Sequence, residues 1–473
     1  RPQPGGAGYV AMRARSLKPA LRRALPARIA AGRPRARYAS AKPSFARPLL
    51  QAICVALLAC SAHAGTAIVG GTLYTMEDGQ PRDGMTVLVG DDGVIEAVGA
   101  GLAVPDGYER VDASGRVITP GLIESYSQLG LVEISGEATT VDAQVSTSTV
   151  GGWNAPLVEP YRLGPAFDVQ YAINPDSTLL PVNRVGGITR AMVAPLPGND
   201  PLSGWGAAIT LGDGEVLSVP RVAMFGAIGA GSAGYVGGSR SAVIQRLRLG
   251  FERARNFRPG RFQDEEGGYT RRELEALAAF LEADAPLVLS VHRANEIREA
   301  IALAADFDLD LVIHGGAEAW KVADGLAEAG VPVVLDVLAN LPVSYDQLGA
   351  RLDNATLLHE AGVTVLLTAE ETHNARLLRQ IAGNAVAEGL PWGEALAAIT
   401  RRPAEVFGLA EGTGTIAAGA PADLVIWTGD PLELTTWAER VMIDGRWMPM
   451  ETRQTRLLER YRTLDGEQPF GFR

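Results

Sequence analysis

Cysteine and histidine are scarce in this chain. Two cysteines, Cys54 and Cys60, and five histidines occur among 473 residues. Both cysteines lie in one short apolar run, residues 48–64. The rest of the chain therefore has no thiol for a disulfide or for a zinc–thiolate site. Any metal bound there must be held by histidine, by carboxylate or by a modified lysine.

Acidic residues are absent from the first 64 positions, which carry 12 basic residues. The apolar run at 48–64 ends in Ala62-His63-Ala64. A basic flank, a short apolar core and an A-x-A end are typical of a secretory signal, and the run is too short to span a membrane as a helix. We expect residues 1–64 to be an export leader and the mature protein to be periplasmic. Attachment of a lipid at Cys60 is an alternative.

The remainder of the chain has the opposite charge balance. Without the first 64 residues, 31 basic residues stand against 54 acidic ones, a net formal charge of −23. Such a surface repels nucleic acid and anionic membranes. We therefore expect a small-molecule substrate or ligand and no nucleic-acid partner.

Short β-rich segments lie near both ends of the chain, at residues 66–100 and 412–450. In the first segment, Asp-Gly pairs at 78–79, 83–84 and 92–93 predict hairpin turns, because glycine readily takes the positive φ that such turns need. Two β segments around a long middle are most simply one small β domain built from both termini.

Between these segments, short β-branched runs alternate with amphipathic stretches. Apolar runs begin near residues 189, 221, 286, 309, 331 and 363, and helical patterns begin near 271, 294, 319 and 393. Strand–helix alternation over this length predicts an α/β barrel, with functional groups just after the ends of the strands.

Three stretches resemble the amidohydrolase superfamily, and most closely its imidazolonepropionase-like branch. They are VITPGLIESYSQLGLVEI at 117–134, VIHGGAEAWKVAD at 312–324, and EALAAITRRPAEVFGLAEGTGTIAAGAPADLVIW at 394–427. The resemblance implies a TIM-like (β/α)8 barrel with a small composite β-sandwich. We expect the barrel at 120–408, the sandwich at 65–119 and 409–450, and a tail at 451–473.

The resemblance also implies metal-dependent hydrolysis of carbon–nitrogen bonds other than peptide bonds, but most metal-ligand positions hold other residues. His314 occupies the ligand position of the sixth barrel strand. The remaining ligand positions are substituted by Tyr126, Gln128, Ser290 and Ala369.

A relocated site is one hypothesis for the chemistry. It would hold one divalent metal, such as zinc, through His314, His292 and His373; without a metal, Glu370 or Glu371 would act as general base. The alternatives are that His292 is a packing residue and that residues 370–373 form an acid-rich helix N-terminus.

Two further motifs bear on the site. Residues 229–234 match G-x-G-x-x-G, but the surrounding pattern lacks a Rossmann unit and favours a glycine-rich loop over the barrel mouth. Arg240 follows this loop and is a candidate partner for an anionic ligand group, with a solvated arginine as the alternative. No G-x-S-x-G nucleophile elbow supports a serine triad.

Two functions remain open from the sequence. The first is an amidohydrolase-family hydrolase of carbon–nitrogen bonds. The second is a catalytically silent paralogue that binds a small ligand or pairs with an active homologous subunit. Partner chains would be a second copy in a homo-oligomer or that homologous subunit.

Overall fold

The computed structural model describes residues 65–145, 163–262, 268–370 and 372–462. These residues belong to one compact unit. The predicted export leader, with Cys54 and Cys60, lies outside the described residues. Within the described ranges, no helix combines the length and the apolar character needed to cross a membrane.

One eight-stranded sheet is built from both ends of the described chain, as the sequence predicts. Its strands run in the order β16-β15-β14-β5-β1-β2-β3, and β4 pairs with β1. The strands are β1 Gly65–Tyr74, β2 Pro81–Gly90, β3 Ile95–Ala100, β4 Tyr108–Asp112, β5 Val117–Pro120, β14 Leu424–Trp427, β15 Ala438–Ile443 and β16 Arg446–Trp447.

The three Asp-Gly pairs of this sheet do not all form turns between strands. Gly79 and Gly93 lie in the connections that follow β1 and β2, with φ of 69° and 82°. The predicted turn at Asp83-Gly84 is wrong, because this pair lies inside β2, where the register with β1 shifts. Gly84 supplies the positive φ, 65°, at this irregularity of the ladder.

The second eight-stranded sheet forms the TIM-like barrel, with its strands in sequence order from β6 to β13. They are β6 Leu122–Ser127, β7 Ile188–Val193, β8 Leu202–Thr210, β9 Leu217–Ile228, β10 Leu287–Val291, β11 Leu311–Gly315, β12 Val333–Leu335 and β13 Val365–Leu367. Its inner and outer faces are both packed with apolar side chains, as in other sheets covered on two sides.

Strand β8 departs from the predicted alternation of strands and helices. It pairs antiparallel with both β7 and β9, whereas the other neighbours in the barrel sheet are parallel. The connections on either side of β8, residues 194–201 and 211–216, are too short for the helical crossover that a parallel pair needs.

Helices cover the barrel where strands are parallel. Helix α4 begins with a capping box: the Thr270 hydroxyl accepts from the N–H of Glu273, and the Glu273 carboxylate accepts from the N–H of Thr270. The helices are α1 Leu179–Arg184, α2 Ala230–Ala233, α3 Arg240–Arg255, α4 Arg271–Leu281, α5 Ala294–Phe307, α6 Ala323–Glu328, α7 Asn354–Glu360, α8 Leu378–Ala387, α9 Trp392–Ala397, α10 Arg401–Val406 and α11 Arg453–Tyr461.

A buried carboxyl group, that of Glu124 in β6, joins the first and last strands of the barrel. It accepts hydrogen bonds from the hydroxyl of Thr368 and from the backbone N–H groups of Tyr126 and Ala369, both at 3.1 Å. Burial raises the pKa of Glu124 to about 7, although these three donors act in the opposite direction. The barrel is therefore closed at its mouth by a group that titrates near neutrality.

A second buried pair fixes the barrel to the terminal sheet. Arg190 of β7 donates from Nε to Asp423 at 2.6 Å and from its terminal nitrogen to Asp444 at 2.7 Å. Asp423 also accepts from the backbone N–H of Asp444. Because the Asp423 side chain is only 4% exposed, water has little access to this ion pair and would not compensate for a lost partner.

We predict that Glu124→Gln flattens the dependence of stability on pH. Folding raises the pKa of Glu124 from 4.5 to about 7, so the folded state binds a proton more tightly than the unfolded state does. This difference stabilises the folded state fully below about pH 4.5, and the stabilisation is lost as pH rises through about 7. The wild type should lose about 3 kcal/mol of unfolding free energy over this interval by that route. Urea denaturation at a series of pH values measures the slope.

The exposed residue Glu411 provides the control, because Glu411→Gln should leave the wild-type slope unchanged. A Glu124→Gln variant with the wild-type slope would show that this carboxyl does not titrate between the folded and unfolded states.

We further predict that Asp423→Asn lowers the unfolding free energy by about 3 kcal/mol, because it leaves the charge of Arg190 buried with a weaker set of acceptors. The matched control is Glu439→Gln, which removes a carboxylate from Arg116 in a pair of half-exposed side chains and should cost about 0.5 kcal/mol. Chemical denaturation of both variants makes the comparison. Equal losses would contradict the assigned role of Asp423.

Candidate functional site

A cavity of about 300 Å³ lies at the carboxyl ends of the barrel strands. In TIM-like barrels this end carries the functional groups. Six of the residues that the sequence singles out line the cavity: Tyr126, Gln128, Ser290, His292, His314 and Glu370. The structure therefore brings together residues from β6, β10, β11 and the segment after β13.

Ser290 and His314 are direct neighbours on adjacent strands. Parallel pairing of β10 with β11 places the two residues opposite each other in the ladder, so their side chains leave the same face of the sheet. The Ser290 hydroxyl lies 2.8 Å from Nδ1 of His314, within hydrogen-bonding distance. One ring nitrogen of the buried imidazole is thus occupied by a serine hydroxyl.

The other ring nitrogen of His314 faces a carboxylate. Nε2 lies 2.9 Å from Oε1 of Glu370, an ion-pair contact in which the ring N–H does not point directly at the oxygen. Burial acts to raise the pKa of Glu370, but the nearby imidazoles and the contact with His314 lower it overall. Glu370 is therefore held as a carboxylate beside the ring.

Backbone geometry fixes the position of Glu370. Its φ is 51°, a left-handed conformation that is uncommon for a residue other than glycine. Its N–H donates to the hydroxyl of Thr368 at 2.9 Å, and the same hydroxyl contacts Glu124. The network that closes the barrel thus also orients the carboxylate next to His314, and strain of this kind is concentrated at functional sites.

Tyr126 covers the imidazole of His314. The two rings are stacked, with centroids 3.8 Å apart and planes inclined by 8°. Burial and the charge of Glu370 raise the pKa of Tyr126 to about 12, while a hydrogen bond with Ser290 acts in the opposite direction. Tyr126 is therefore a protonated phenol that packs on the imidazole and contacts the serine hydroxyl.

His292 lies at the end of β10, against the backbone of β11. Gly315 has a φ of 86°, and a Cβ there would meet the His292 ring at 2.5 Å, so only glycine allows this approach. Burial lowers the pKa of His292, and the charge of His314 lowers it further. His292 is therefore a neutral imidazole in the cavity wall, with Nε2 3.4 Å from the amide nitrogen of Gln347.

Several buried polar atoms of the cavity wall have no hydrogen-bond partner in the protein. They include both donors and acceptors: Gln128 Nε2, His292 Nδ1, Gln347 Oε1 and Asn354 Oδ1. An unpaired buried polar atom costs about 1–3 kcal/mol. A ligand with both donor and acceptor groups, or water, would remove this cost.

The other predicted site residues lie elsewhere. Ala369 is buried and donates its N–H to Glu124. The exposed side chain of His373 has Nε2 3.1 Å from the amide nitrogen of Asn374 and does not line the cavity. Arg240 forms ion pairs with Glu296, at 2.7 Å, and with Asp346. Glu371 lies outside the described residues.

The glycine-rich segment folds back on the protein. Residues 230–233 form α2, and a 3-10 turn follows at Gly234–Val236. The N–H of Ala230 donates to Asp346 at 2.9 Å, and Asp346 also pairs with Arg240. The first N–H of this short helix and the nearby arginine are thus satisfied by a carboxylate of the chain itself.

The donors present do not fit a divalent metal centre. A catalytic zinc takes three protein ligands that point at one position. Nδ1 of His314 is within hydrogen-bonding distance of Ser290, Nε2 is in ion-pair contact with Glu370, and Nε2 of His292 faces Gln347. Among the residues that the structure describes, no group of three histidine, cysteine, aspartate or glutamate side chains is arranged to hold a metal ion.

Two contacts that define the site are not evident from the sequence. The resemblance marks Ser290 as a substituted ligand position, but its pairing with His314 depends on the register of β10 and β11. Glu124 meets Thr368 across 244 positions of the chain. The sequence carries one sign of the second contact: Glu124 is an acid within an apolar strand, and a buried acid needs a hydrogen-bond partner.

Residues 252–448 match the sequence model of the Amidohydrolase family. Amidohydrolase tasK of Hapsidospora irregularis is 25% identical over 373 residues; the match covers 72% of this chain but only 37% of that relative's length. The structure of an amidohydrolase from Thermotoga maritima superposes with a TM-score of 0.70 at 25% identity, covering 81% of this chain and 99% of that one.

A structure of molinate hydrolase shares the fold, with a TM-score of 0.50 at 17% identity over 82% of this chain and 95% of that chain. The sequence match, the curated relative and the Thermotoga maritima structure agree with the barrel and terminal sheet described above. The chain therefore shares the fold of the Thermotoga maritima amidohydrolase, and its residues 252–448 match the Amidohydrolase family.

Proposed function

We propose that this protein hydrolyses a carbon–nitrogen bond, other than a peptide bond, in a small molecule bound at the barrel mouth. The observation that carries the proposal is the placement of His314 between Ser290 and Glu370 inside the cavity. A buried imidazole whose orientation is held by a carboxylate can accept a proton and then return it to a leaving nitrogen.

Roles follow from the contacts of each group. With the ring proton on Nε2, next to the Glu370 carboxylate, Nδ1 of His314 is the basic nitrogen, and it faces the Ser290 hydroxyl. The carboxylate of Glu370 stabilises the imidazolium that forms when Nδ1 takes a proton. These roles need no metal-bound water, which agrees with a donor set that does not fit a metal.

The unpaired atoms of the wall indicate the polarity of the substrate. An amide-like group offers a carbonyl acceptor and an N–H donor, which complement a wall that leaves both kinds of atom unpaired. Gln128 Nε2 would donate to the carbonyl oxygen. Either Gln347 or Asn354 would accept from the N–H group.

An exposed apolar segment that contains two cavity-lining residues, Ala339 and Gln347, indicates the rest of the substrate. The segment 338–348 follows the cavity-lining residues after β12 and exposes five large apolar side chains. They are Leu338, Leu341, Val343, Tyr345 and Leu348. We propose a substrate with an apolar substituent on the amide-like group, which would cover part of this surface.

A catalytically silent paralogue is not favoured by these observations. A protein that only binds a ligand has no need to keep a carboxylate in a left-handed backbone conformation beside a buried imidazole. The relatives that the chain matches over most of its length are amidohydrolases.

We predict that His314→Asn lowers kcat for amide or lactam hydrolysis by about 100-fold or more, because it removes the group that accepts and returns the proton. The assay is a panel of N-aryl amides and small lactams with apolar substituents. His359→Asn is the matched control, since His359 lies in α7 and does not line this cavity. Equal activity of the two variants would contradict the assignment.

We also predict that chelation leaves activity unchanged. Treatment with EDTA followed by gel filtration should alter kcat/KM by less than about twofold, because the donors among the described residues are not arranged to hold a metal. Loss of activity that added zinc or manganese restores would show that hydrolysis depends on a metal and would contradict this part of the proposal.

A further inference from the structure

We infer that Ser290 is a covalent nucleophile, and that Ser290, His314 and Glu370 form a serine–histidine–carboxylate relay on the strands of the barrel. This inference rests on the proposed hydrolysis and identifies how the site performs it. It departs from hydrolysis by a metal-bound water, because the attacking atom is a side-chain oxygen.

Geometry supplies the first argument. A serine nucleophile needs a base within hydrogen-bonding reach, and the base needs a third group that orients it. The Ser290 hydroxyl lies 2.8 Å from Nδ1 of His314, and Nε2 of the same ring lies 2.9 Å from Glu370. The two nitrogens exchange the roles they have in serine proteases, which is chemically equivalent because either tautomer can serve as base.

Strand register supplies the second argument. Ser290 and His314 occupy paired positions of β10 and β11, so the backbone ladder fixes their separation. Catalytic groups on strands are held more precisely than groups on loops. A serine nucleophile therefore does not require a G-x-S-x-G elbow here. The pairing of β10 with β11 positions Ser290, as a strand-to-helix turn positions the serine in other enzymes.

An unpaired donor supplies the third argument. Attack on a carbonyl develops negative charge on its oxygen, and a donor directed at that oxygen stabilises the transition state. Gln128 Nε2 is buried, has no partner in the protein and belongs to the wall of the same cavity as Ser290. Gln128 thus provides a donor for the oxyanion. The resemblance to the amidohydrolases implies a metal ligand at this position.

The chemistry balances without an external oxidant or reductant. The Ser290 oxygen forms a bond to the carbonyl carbon, its proton passes to Nδ1 of His314, and the carbonyl π electrons move to the oxygen. Collapse breaks the C–N bond, and the leaving nitrogen takes the proton from Nδ1. Water then attacks the acyl carbon, gives its proton to Nδ1, and the carboxylic acid leaves as Ser290 regains that proton.

Diisopropyl fluorophosphate tests the inference on the full chain. Attack of the serine oxygen on phosphorus forms an oxygen–phosphorus bond and releases fluoride, which leaves a diisopropylphosphoryl serine that peptide mapping by mass spectrometry locates. We expect one adduct, on Ser290, and parallel loss of hydrolysis. Ser290→Ala should abolish both, and His314→Asn should slow labelling by about 100-fold or more.

Ser241→Ala is the matched control, because Ser241 lies in α3 outside this cavity and should be dispensable for labelling and hydrolysis. Thermal unfolding of each variant establishes that it is folded. If Ser290→Ala does not fold, Ser290→Thr provides the second variant: it keeps the hydroxyl with a more hindered oxygen and should be labelled and should hydrolyse more slowly than the wild type.

The outcomes separate this inference from the proposed function. A wild-type protein that hydrolyses amides while Ser290→Ala retains its activity would overturn the nucleophile and leave the hydrolase proposal intact. Labelling of Ser290 in a protein that hydrolyses no member of the panel would support the nucleophile and count against the proposed function. Absence of both labelling and hydrolysis in the folded wild type would overturn both.

Discussion

The buried carboxyl group of Glu124 is the constraint on which the mouth of the barrel depends. Through Thr368 and the backbone of Ala369 it ties β6 to the residues that follow β13. A barrel must bring its first and last strands together, and an unpaired carboxyl at that junction would be costly to bury. Three donors satisfy Glu124, so the closure is made by hydrogen bonds.

That closure continues into the candidate site. Thr368 contacts Glu124 and accepts the N–H of Glu370, whose left-handed backbone directs its carboxylate to His314. His314 in turn meets Ser290 across the β10–β11 ladder, beneath the ring of Tyr126. The side chains from Glu124 to Ser290 thus form one connected set of contacts at the barrel mouth.

The sequence predicts the elements of the fold well where patterns are local. Helix α5 occupies Ala294–Phe307, the stretch with the helical pattern that begins at 294, and β11 carries His314 as the motif indicates. It does not predict antiparallel β8 or the irregularity at Gly84, because both depend on pairing between segments. The site follows the same rule: the residues are recognisable one by one, but the contact of Ser290 with His314 is a property of strand register.

The most direct test of the account is a crystal structure of the protein soaked with a small arylboronic acid, which adds to an activated serine as a tetrahedral boronate. We expect a bond from Ser290 Oγ to boron, contact between His314 and Glu370 as in the free protein, and a boronate oxygen within hydrogen-bonding distance of Gln128 Nε2. A metal ion bound between His314 and His292, with Ser290 unmodified, would contradict it.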